Sequence, residues 1–388
     1  MKFDTNKMKN RFPFFCVLIG WGLIVGGFLD AIYLSVSHYR VYTDVTYSSF
    51  CAISKSINCD MVSQSSFSIL FGIPVPIWGV FGYLLLILIF PFLIHKESTE
   101  RRLWTVFFIT VTFYSIYSLI LAFISTFFIH SYCLMCIVSY AINFALVLYS
   151  YKRIKDLKEG GILKSFSKDW AYLKTNASHL FFIIKLFLAI VFVVWIVFPK
   201  YWVFELKETT SALPFGITED GSHWIGAENP EITIIEYTDY LCFQCRKMHY
   251  YLRDLVAEHP NTIRLVHRHF PLDMEYNFAI KENLHSGAGK MAMLAIYAGL
   301  KNKFWEMNDL LFQIDHSNGS IDLNEIAIKI DLKPEELAWA LEQKEIRLHL
   351  KRDIAMAVKV GVVGTPSYII NGEVFLGTMP LSLSKTKK

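Results

Sequence analysis

The sequence predicts a membrane bundle of α-helices followed by an α/β domain. Five apolar stretches are long enough to cross a bilayer, and all five end before residue 200. Hydrophobic residues make up 54% of the 388 residues and charged residues only 19%, against about a quarter charged in typical soluble proteins. After Trp202 the composition changes to that of a soluble domain in which strand and helix patterns alternate.

The apolar stretches define four helices and a separate fifth one. They run roughly over Phe14–Val36, Ile73–Ile94, Leu103–Ile129, Cys133–Tyr149 and Leu180–Phe198. The first resembles a signal peptide in position, but its apolar run is long and no clear small-residue cleavage site follows. We therefore expect it to be retained as a membrane anchor.

Basic residues in the short connections predict the orientation in the membrane. The N-terminus, the turn "HKESTERR" at 95–102 and the connector at 151–178 are rich in Lys and Arg. Such segments stay on the cytoplasmic side of a membrane. Five crossings then place the C-terminal part outside the cytoplasm.

Six of the seven cysteines form three closely spaced pairs that this topology places on the outer side. Disulfides form and persist in that compartment. The seventh, Cys16, is expected to be a structural residue of the first span. The pairs are Cys51 and Cys59 in the first outer loop, Cys133 and Cys136 at the start of the fourth span, and Cys242 and Cys245 in the exported domain.

The exported domain presents its cysteine pair at the junction of a strand and a helix. "EITIIEYTDYLCFQC" predicts a buried strand that leads into the helix "RKMHYYLRDLVAEHP". A thiolate at a helix N-terminus is stabilised by free N–H groups and the helix dipole, so we expect a lowered pKa for Cys242 and a resolving role for Cys245. Glu236 precedes the pair on the strand, where a buried carboxylate would handle the proton of Cys245. Further on, "GVVGTPSYIINGEVFLG" predicts strands joined by a tight Asn371-Gly372 turn.

These motifs resemble a thioredoxin-fold domain of the DsbA type. The resemblance rests on Glu236, Cys242, Cys245 and the "GTP" at Gly364–Pro366, and it implies an α/β thioredoxin fold with a helical insertion. It also implies a cis peptide bond at Pro366, beside the cysteine pair. Two features depart from the family: Phe243 stands in place of the usual proline- or histidine-containing dipeptide, and the chain after "LGTMP" is short for a C-terminal helix.

The first four spans resemble the vitamin K epoxide reductase family. Cys51 and Cys59, then "NCDMVSQSSFSILFGIPVPIWGVFGY", then a membrane Cys-x-x-Cys followed by "SYAIN" occur in the family's order. The resemblance implies that Cys51 and Cys59 pass electrons to the membrane pair by attack of Cys59 on Cys133. Cys136 would then lie beside a quinone of the ubiquinone or menaquinone type, in a pocket lined by Ser65 and Tyr140.

The two resemblances predict the domain organisation. A quinone-reducing, four-helix membrane domain spans 1–150, a basic cytoplasmic connector 151–178, a fifth transmembrane helix 179–199, and an exported thioredoxin-fold domain 215–388. The implied location is the inner (cytoplasmic) membrane of a bacterium.

Plainer interpretations remain open for several of these residues. A Cys-x-x-Cys can bind zinc, although structural sites normally need four ligands. Cys51 and Cys59 are also compatible with a permanent disulfide. Asp30, in the outer part of the first span, is either functional or reaches toward the interface. Trp78, Tyr83, Tyr114 and Tyr117 are interpreted as packing or interfacial residues, some of which line the quinone slot.

The combined pattern predicts a quinone-dependent thiol oxidase that makes disulfides in exported proteins. Its partners would be reduced exported proteins, the membrane quinone and, in addition, free thioredoxin-like proteins, without nucleic acid or a metal. One alternative is a relay that carries electrons outward to support a reductase or isomerase, but no cysteine is placed to meet a cytoplasmic donor. Another is a non-enzymatic receptor, which would not need four cysteines at the outer membrane face.

Overall fold

The computed structural model describes residues 14–54, 56–94, 103–156, 166–167, 169–171, 178–206, 213–314 and 321–377. The basic N-terminus, the 95–102 turn, most of the 151–178 connector and the segment after Gly377 lie outside these residues. The chain forms two compact units, one of Met1–Thr43 with Tyr47–Tyr201 and one of Asp44–Thr46 with Trp202–Lys388.

Five helices among the described residues are long and apolar enough to cross a membrane, as the sequence predicts. They belong to the first unit. A π-helical turn, Ser125–Ile129, extends the third of them. The helices are α1 (Phe14–Thr43), α3 (Val75–Ile94), α4 (Trp104–Ile124), α5 (Leu134–Asp156) and α6 (Ser178–Val197).

Close packing of α1, α3, α4 and α5 forms the core of this unit. α1 packs on α3 and α5, α4 packs on α5, and α6 packs on α3. Buried aromatic side chains such as Phe90 and Trp104 fill the centre. The packing is tight enough at Gly27 of α1 that an added Cβ would lie 2.2 Å from the Tyr83 ring.

The loop between α1 and α3 has more structure than its polar composition predicted. α1 continues to Thr43, seven residues beyond the predicted end at Val36, because polar side chains extend the helix past its apolar part. Within the loop, α2 (Cys59–Gln64) begins at Asn58, whose side chain accepts hydrogen bonds from the Asp60 and Met61 N–H groups. The short strands β1 (Ile69–Leu70) and β2 (Ile73–Pro74) form a hairpin before α3.

The second unit is an α/β domain built on a six-stranded sheet in the order β3-β4-β6-β5-β7-β8. The central strand β5 runs parallel to β6 and antiparallel to β7. The strands are β3 (Phe215–Ile217), β4 (His223–Gly226), β5 (Ile232–Thr238), β6 (Ile263–His269), β7 (Ser367–Ile370) and β8 (Glu373–Leu376).

One helix follows the central strand, and five more are inserted between β6 and β7. The first is α7 (Phe243–Glu258), which carries the second cysteine of the CFQC pair. The inserted helices are α8 (Ala288–Leu300), α9 (Phe304–Gln313), α10 (Leu323–Ile330), α11 (Pro334–Glu342) and α12 (Lys344–Lys359). This arrangement confirms the predicted thioredoxin fold with a helical insertion.

Two local predictions for this domain are confirmed. The Thr365–Pro366 peptide bond is cis. Asn371 and Gly372 both have positive φ angles, 51° and 84°, as the tight turn between β7 and β8 requires.

We expect Gly27→Ala to destabilise the membrane unit by about 1–3 kcal/mol, because the new methyl group must displace the buried Tyr83 ring. Thermal unfolding in detergent would measure the change. Gly22→Ala is the matched control on the same helix, since a Cβ there meets no atom within 4 Å. Equal melting temperatures for the two variants would show that the α1–α3 contact is looser than described.

Candidate functional site

The two cysteine pairs of the membrane unit lie in one buried cluster. Cys51 and Cys59 form a disulfide, with 5.6 Å between their Cα atoms. Their side chains pack with Cys133, and Cys136 lies at the edge of the same cluster. The predicted shuttle pair and the predicted membrane pair are therefore brought together.

Backbone hydrogen bonds between the α1–α3 loop and the α4–α5 connection hold this arrangement. The Tyr132 N–H donates to the Ser56 carbonyl at 2.9 Å, and the Asn58 N–H donates to the Tyr132 carbonyl at 3.0 Å. Tyr132 directly precedes Cys133, Asn58 directly precedes Cys59, and Ser56 lies three residues before Cys59. The pairing is a single parallel bridge centred on Ile57 and Tyr132.

Cys133 stands immediately before α5, and Cys136 is in its first turn. The Cys136 N–H donates to the Cys133 sulfur at 3.2 Å. A free N–H group at the start of a helix is thus directed at the first cysteine of the pair. This is the position in which a thiolate is stabilised best.

A cavity of about 510 Å³ opens beside Cys136 in the membrane unit. Most of its lining is apolar, which suits a flat hydrophobic ligand. The lining includes both predicted quinone-binding residues, Ser65 and Tyr140. Part of the wall comes from α6, through Phe187, Leu188 and Val191.

The aromatic residues for which the sequence left open a packing role or a place in the quinone slot also line this cavity. Trp78, Tyr83, Tyr114 and Tyr117 all belong to the wall. Tyr83 donates to Asn143 Oδ1 at 2.8 Å, which fixes the amide of Asn143 at the cavity surface. These residues give the cavity a set of hydroxyl and amide groups within an apolar wall.

Asp30 is a buried acid of the first span that contacts the cavity wall. It is 6% exposed, and its Oδ2 accepts a hydrogen bond from the Ser139 hydroxyl. Ser139 lines the cavity three residues after Cys136. Asp30 Oδ1 has no hydrogen-bond partner among the described residues. Asp30 thus turns inward rather than toward the interface.

Sequence reasoning missed several polar residues around this cavity, including Ser139, Asn143 and His38. His38 is fully buried, with Nε2 3.2 Å from Ser68 Oγ and Nδ1 2.8 Å from the Tyr201 hydroxyl. The only signal in the sequence was that these polar residues interrupt or border apolar helices.

The second candidate centre is the CFQC pair of the thioredoxin-fold domain. Cys242 caps the N-terminus of α7, and its sulfur accepts from the Cys245 N–H at 3.4 Å. The same sulfur lies 3.7 Å from the Thr365 carbonyl oxygen, directly before the cis Pro366. Pro366 therefore contacts the pair through its neighbour, as the family resemblance implied.

The two cysteines of this pair have opposite pKa shifts. A hydrogen bond from the Cys245 thiol and the Cys245 backbone N–H lower the pKa of Cys242, against the effects of burial and of Asp239. Burial raises the pKa of Cys245, and its hydrogen bond to Cys242 raises it further. Cys242 is thus suited to exchange with an outside disulfide or thiol, and Cys245 to resolve the product.

Glu236 lies on β5, the strand that leads to this pair, and is 3% exposed. Its Oε1 is 2.8 Å from His267 Nδ1 on the adjacent strand, a pairing that follows from the register of β5 and β6. His267 in turn lies 3.3 Å from His269 Nδ1. The carboxylate therefore sits in a buried polar chain that the sequence did not reveal.

Two family matches cover most of the chain. Residues 18–151 match the vitamin K epoxide reductase family, and residues 218–386 match the thioredoxin family. Each match contains the cysteine pairs described for its unit.

Individual relatives match part of the chain. A Na⁺/H⁺ antiporter NhaA 1 of Salinispora arenicola is 30% identical over 156 residues, which are 40% of this chain and 22% of the antiporter. An antiporter NhaA of Herminiimonas arsenicoxydans is 25% identical over 188 residues, 47% of this chain and 28% of the antiporter. The chain thus spans about a quarter of the length of these relatives.

Solved structures similar to the chain are thioredoxin-like proteins. A thioredoxin-like oxidoreductase from Silicibacter pomeroyi has 25% identity and a TM-score of 0.36, over 44% of this chain and 90% of that one. Pseudomonas aeruginosa DsbA2 has 26% identity and a TM-score of 0.34, over 44% and 93%. The chain therefore joins a membrane segment that matches the vitamin K epoxide reductase family to a C-terminal segment that matches the thioredoxin family.

Proposed function

We propose that this protein is a quinone-dependent thiol oxidase that makes disulfide bonds in exported proteins. Electrons would pass from substrate thiols to Cys242 and Cys245, then to Cys51 and Cys59, then to Cys133 and Cys136, and finally to a membrane quinone. The observation that supports this best is the buried cluster in which the Cys51–Cys59 disulfide packs on Cys133.

In the first stage a substrate thiolate attacks the oxidised CFQC pair at Cys242. Cys242 is the sulfur at the helix N-terminus and the less buried of the two, so the mixed disulfide would form there. The second substrate thiol then attacks the substrate sulfur, and Cys242 leaves as a thiolate. A thiol with a lowered pKa is a good leaving group, which favours disulfide formation in the substrate.

In the second stage the reduced CFQC pair transfers its two electrons to the Cys51–Cys59 disulfide. The two domains are parts of one chain, so the pairs meet at high effective concentration. Cys59 of the resulting dithiol then attacks the Cys133–Cys136 disulfide at Cys133. The bridge between Ile57 and Tyr132 supports this step because it holds the neighbours of both sulfurs together.

The last stage, re-oxidation of Cys133 and Cys136, would take place at the cavity that Cys136 lines. The residues that line it fit a quinone, since the wall is mainly apolar and carries the hydroxyl groups of Ser65 and Tyr140. Re-oxidation of Cys133 and Cys136 to a disulfide releases two electrons and two protons, which together convert a quinone to a quinol. Asp30, which is hydrogen-bonded to the cavity residue Ser139, would accept the proton of the Cys136 thiol.

The topology that this function requires has five spans, with the N-terminus in the cytoplasm and the thioredoxin-fold domain outside. The inner membrane of a bacterium provides both an oxidising outer compartment and a quinone pool. In this orientation Cys51, Cys59, Cys133 and Cys242 all face the side where disulfides persist. Reduced exported proteins would be the substrates.

The relay predicts that peptide oxidation and quinone reduction are coupled. Purified protein in detergent would be given a reduced peptide with two thiols and a soluble quinone, and both changes would be followed together. We expect one quinone reduced per peptide disulfide in the wild type, and only background turnover in Cys242→Ala, Cys59→Ala and Cys133→Ala.

Cys16→Ala is the control for this assay, because Cys16 is in none of the three pairs and should keep wild-type turnover. Peptide oxidation without quinone reduction would contradict the relay and leave the thioredoxin-fold domain working alone. Electron flow from a quinol to a peptide disulfide, at a higher rate than the reverse reaction, would support the reductase alternative.

The attack of Cys59 on Cys133 predicts a stable mixed disulfide when their partners are removed. In Cys51→Ser/Cys136→Ser treated with a mild thiol oxidant such as diamide, we expect a Cys59–Cys133 bond to accumulate, because the two sulfurs belong to one packed cluster. Peptide mapping without reductant would identify it. Cys51→Ser/Cys133→Ser, which leaves Cys136 instead, is the matched control, and an equal yield of Cys59–Cys136 would contradict the assigned order.

The cavity assignment predicts that Tyr140→Phe weakens quinone use. Loss of a hydrogen-bond donor worth about 1 kcal/mol should raise KM for quinone roughly fivefold. Single-turnover reduction of the CFQC pair by peptide should not change. Tyr151→Phe is the matched control on the same helix, because Tyr151 is exposed and is not part of the cavity wall. Equal KM values in all three proteins would place the quinone elsewhere.

A further inference from the structure

His285 is a histidine close to the CFQC pair that neither the motif nor the proposed relay uses. It lies in the loop between β6 and α8, and its side chain is 27% exposed. Its backbone N–H donates to the Leu272 carbonyl at 3.0 Å, and its carbonyl accepts from the Ala288 N–H at 3.1 Å. The backbone is thus fixed on both sides of the imidazole.

Asp239 connects His285 to the turn that carries Cys242. The Asp239 side chain is fully buried, and its Oδ2 lies 3.1 Å from His285 Nδ1. The same oxygen accepts from the Leu272 N–H at 2.6 Å, and Oδ1 accepts from the Leu241 N–H at 2.7 Å. The Asp239 carbonyl accepts from the Cys242 N–H at 3.2 Å. One residue therefore fixes both the cysteine turn and the histidine loop.

Asp239 brings a negative charge close to Cys242, which a protonated His285 would offset. A buried carboxylate close to a thiol opposes the thiolate, since both carry negative charge. Asp239 acts in this way on Cys242. The middle residues of the motif, Phe243 and Gln244, have no charge with which to offset it. A protonated His285 paired with Asp239 supplies the missing positive charge.

The titration of the two groups agrees with this arrangement. Burial acts to lower the pKa of His285, but Asp239, the Cys242 thiolate and Asp273 outweigh it and raise that pKa. His285 in turn helps to lower the pKa of Cys242, after the larger contributions of Cys245. Cys245 and the buried Tyr368 are the other titratable groups that interact with Cys242.

We propose that His285 is a positioning residue that stabilises the Cys242 thiolate from outside the CFQC motif, by neutralising Asp239. The imidazolium keeps the exchanging sulfur anionic in a motif that lacks its own cation. The inference builds on the proposed exchange role of Cys242 and adds the group that tunes it. Its contribution is present while His285 is protonated and is lost as the pH rises through the His285 pKa.

Site-resolved alkylation of the reduced full chain in detergent tests this directly. Labelling of Cys242 by iodoacetamide, followed by mass spectrometry as a function of pH, reports its thiolate fraction. We expect His285→Gln to shift the midpoint upward and to slow labelling below the midpoint by roughly three- to tenfold, the size expected for one partly exposed charge. An unchanged midpoint would overturn the proposal.

Two further variants separate charge from structure. His285→Lys keeps a cation and should restore much of the thiolate fraction, whereas an effect equal to that of His285→Gln would show a merely structural role and overturn the proposal. His259→Gln, at the opposite end of α7, should leave the Cys242 midpoint unchanged. A shift as large as that of His285→Gln would show that the effect is not specific and would also overturn it.

A second measurement leaves His285 unchanged and follows the same interaction through the titration of His285 itself. If His285 stabilises the thiolate, the thiolate must stabilise protonated His285 by the same amount. Histidine C2 hydrogen–deuterium exchange should therefore show a lower His285 midpoint in Cys242→Ala than in the wild type, and equal midpoints would overturn the proposal. Neither measurement uses peptide or quinone, so failure of this inference is distinguishable from failure of the relay.

Discussion

The backbone bridge between Ile57 and Tyr132 is the constraint on which the membrane site depends. It joins the α1–α3 loop to the residue that precedes Cys133, and it does so through main-chain groups rather than side chains. Cys59 begins α2 directly after this bridge, and α5 begins directly after Cys133. The N-termini of α2 and α5 are therefore held next to each other, and the cysteines at these N-termini lie in one cluster.

The membrane pair and the CFQC pair use the same local geometry. In each, the first sulfur accepts a hydrogen bond from the backbone N–H of the second cysteine, at 3.2 Å for Cys133 and at 3.4 Å for Cys242. The spacing of three residues produces this contact wherever a Cys-x-x-Cys opens a helix, because residue N3 directs its N–H back to the cap. The surroundings then differ: Cys136 lines an apolar cavity, whereas Cys242 lies beside a buried carboxylate and an imidazole.

The sequence predicted the features that depend on local patterns. Long apolar runs defined the five helices, the strand before "CFQC" defined the start of α7, and Asn371-Gly372 defined the last hairpin. The extension of α1 to Thr43 was not predictable from hydropathy, since helix continuation there uses polar residues. Contacts between distant segments were also missed, among them Asp239 with His285 and Asp30 with Ser139. Such pairs are formed by the fold and leave no periodic signal in the chain.

The fifth helix limits where the chain can be truncated to separate its two units. Phe187, Leu188 and Val191 of α6 form part of the cavity wall, yet α6 lies beyond the residues that match the membrane family. A truncation made at the family boundary would thus remove a side of the chamber and open it laterally to lipid. The helix that precedes the thioredoxin-like unit is thus also a structural component of the membrane unit, so the two halves cannot be separated at the family boundary without changing the cavity.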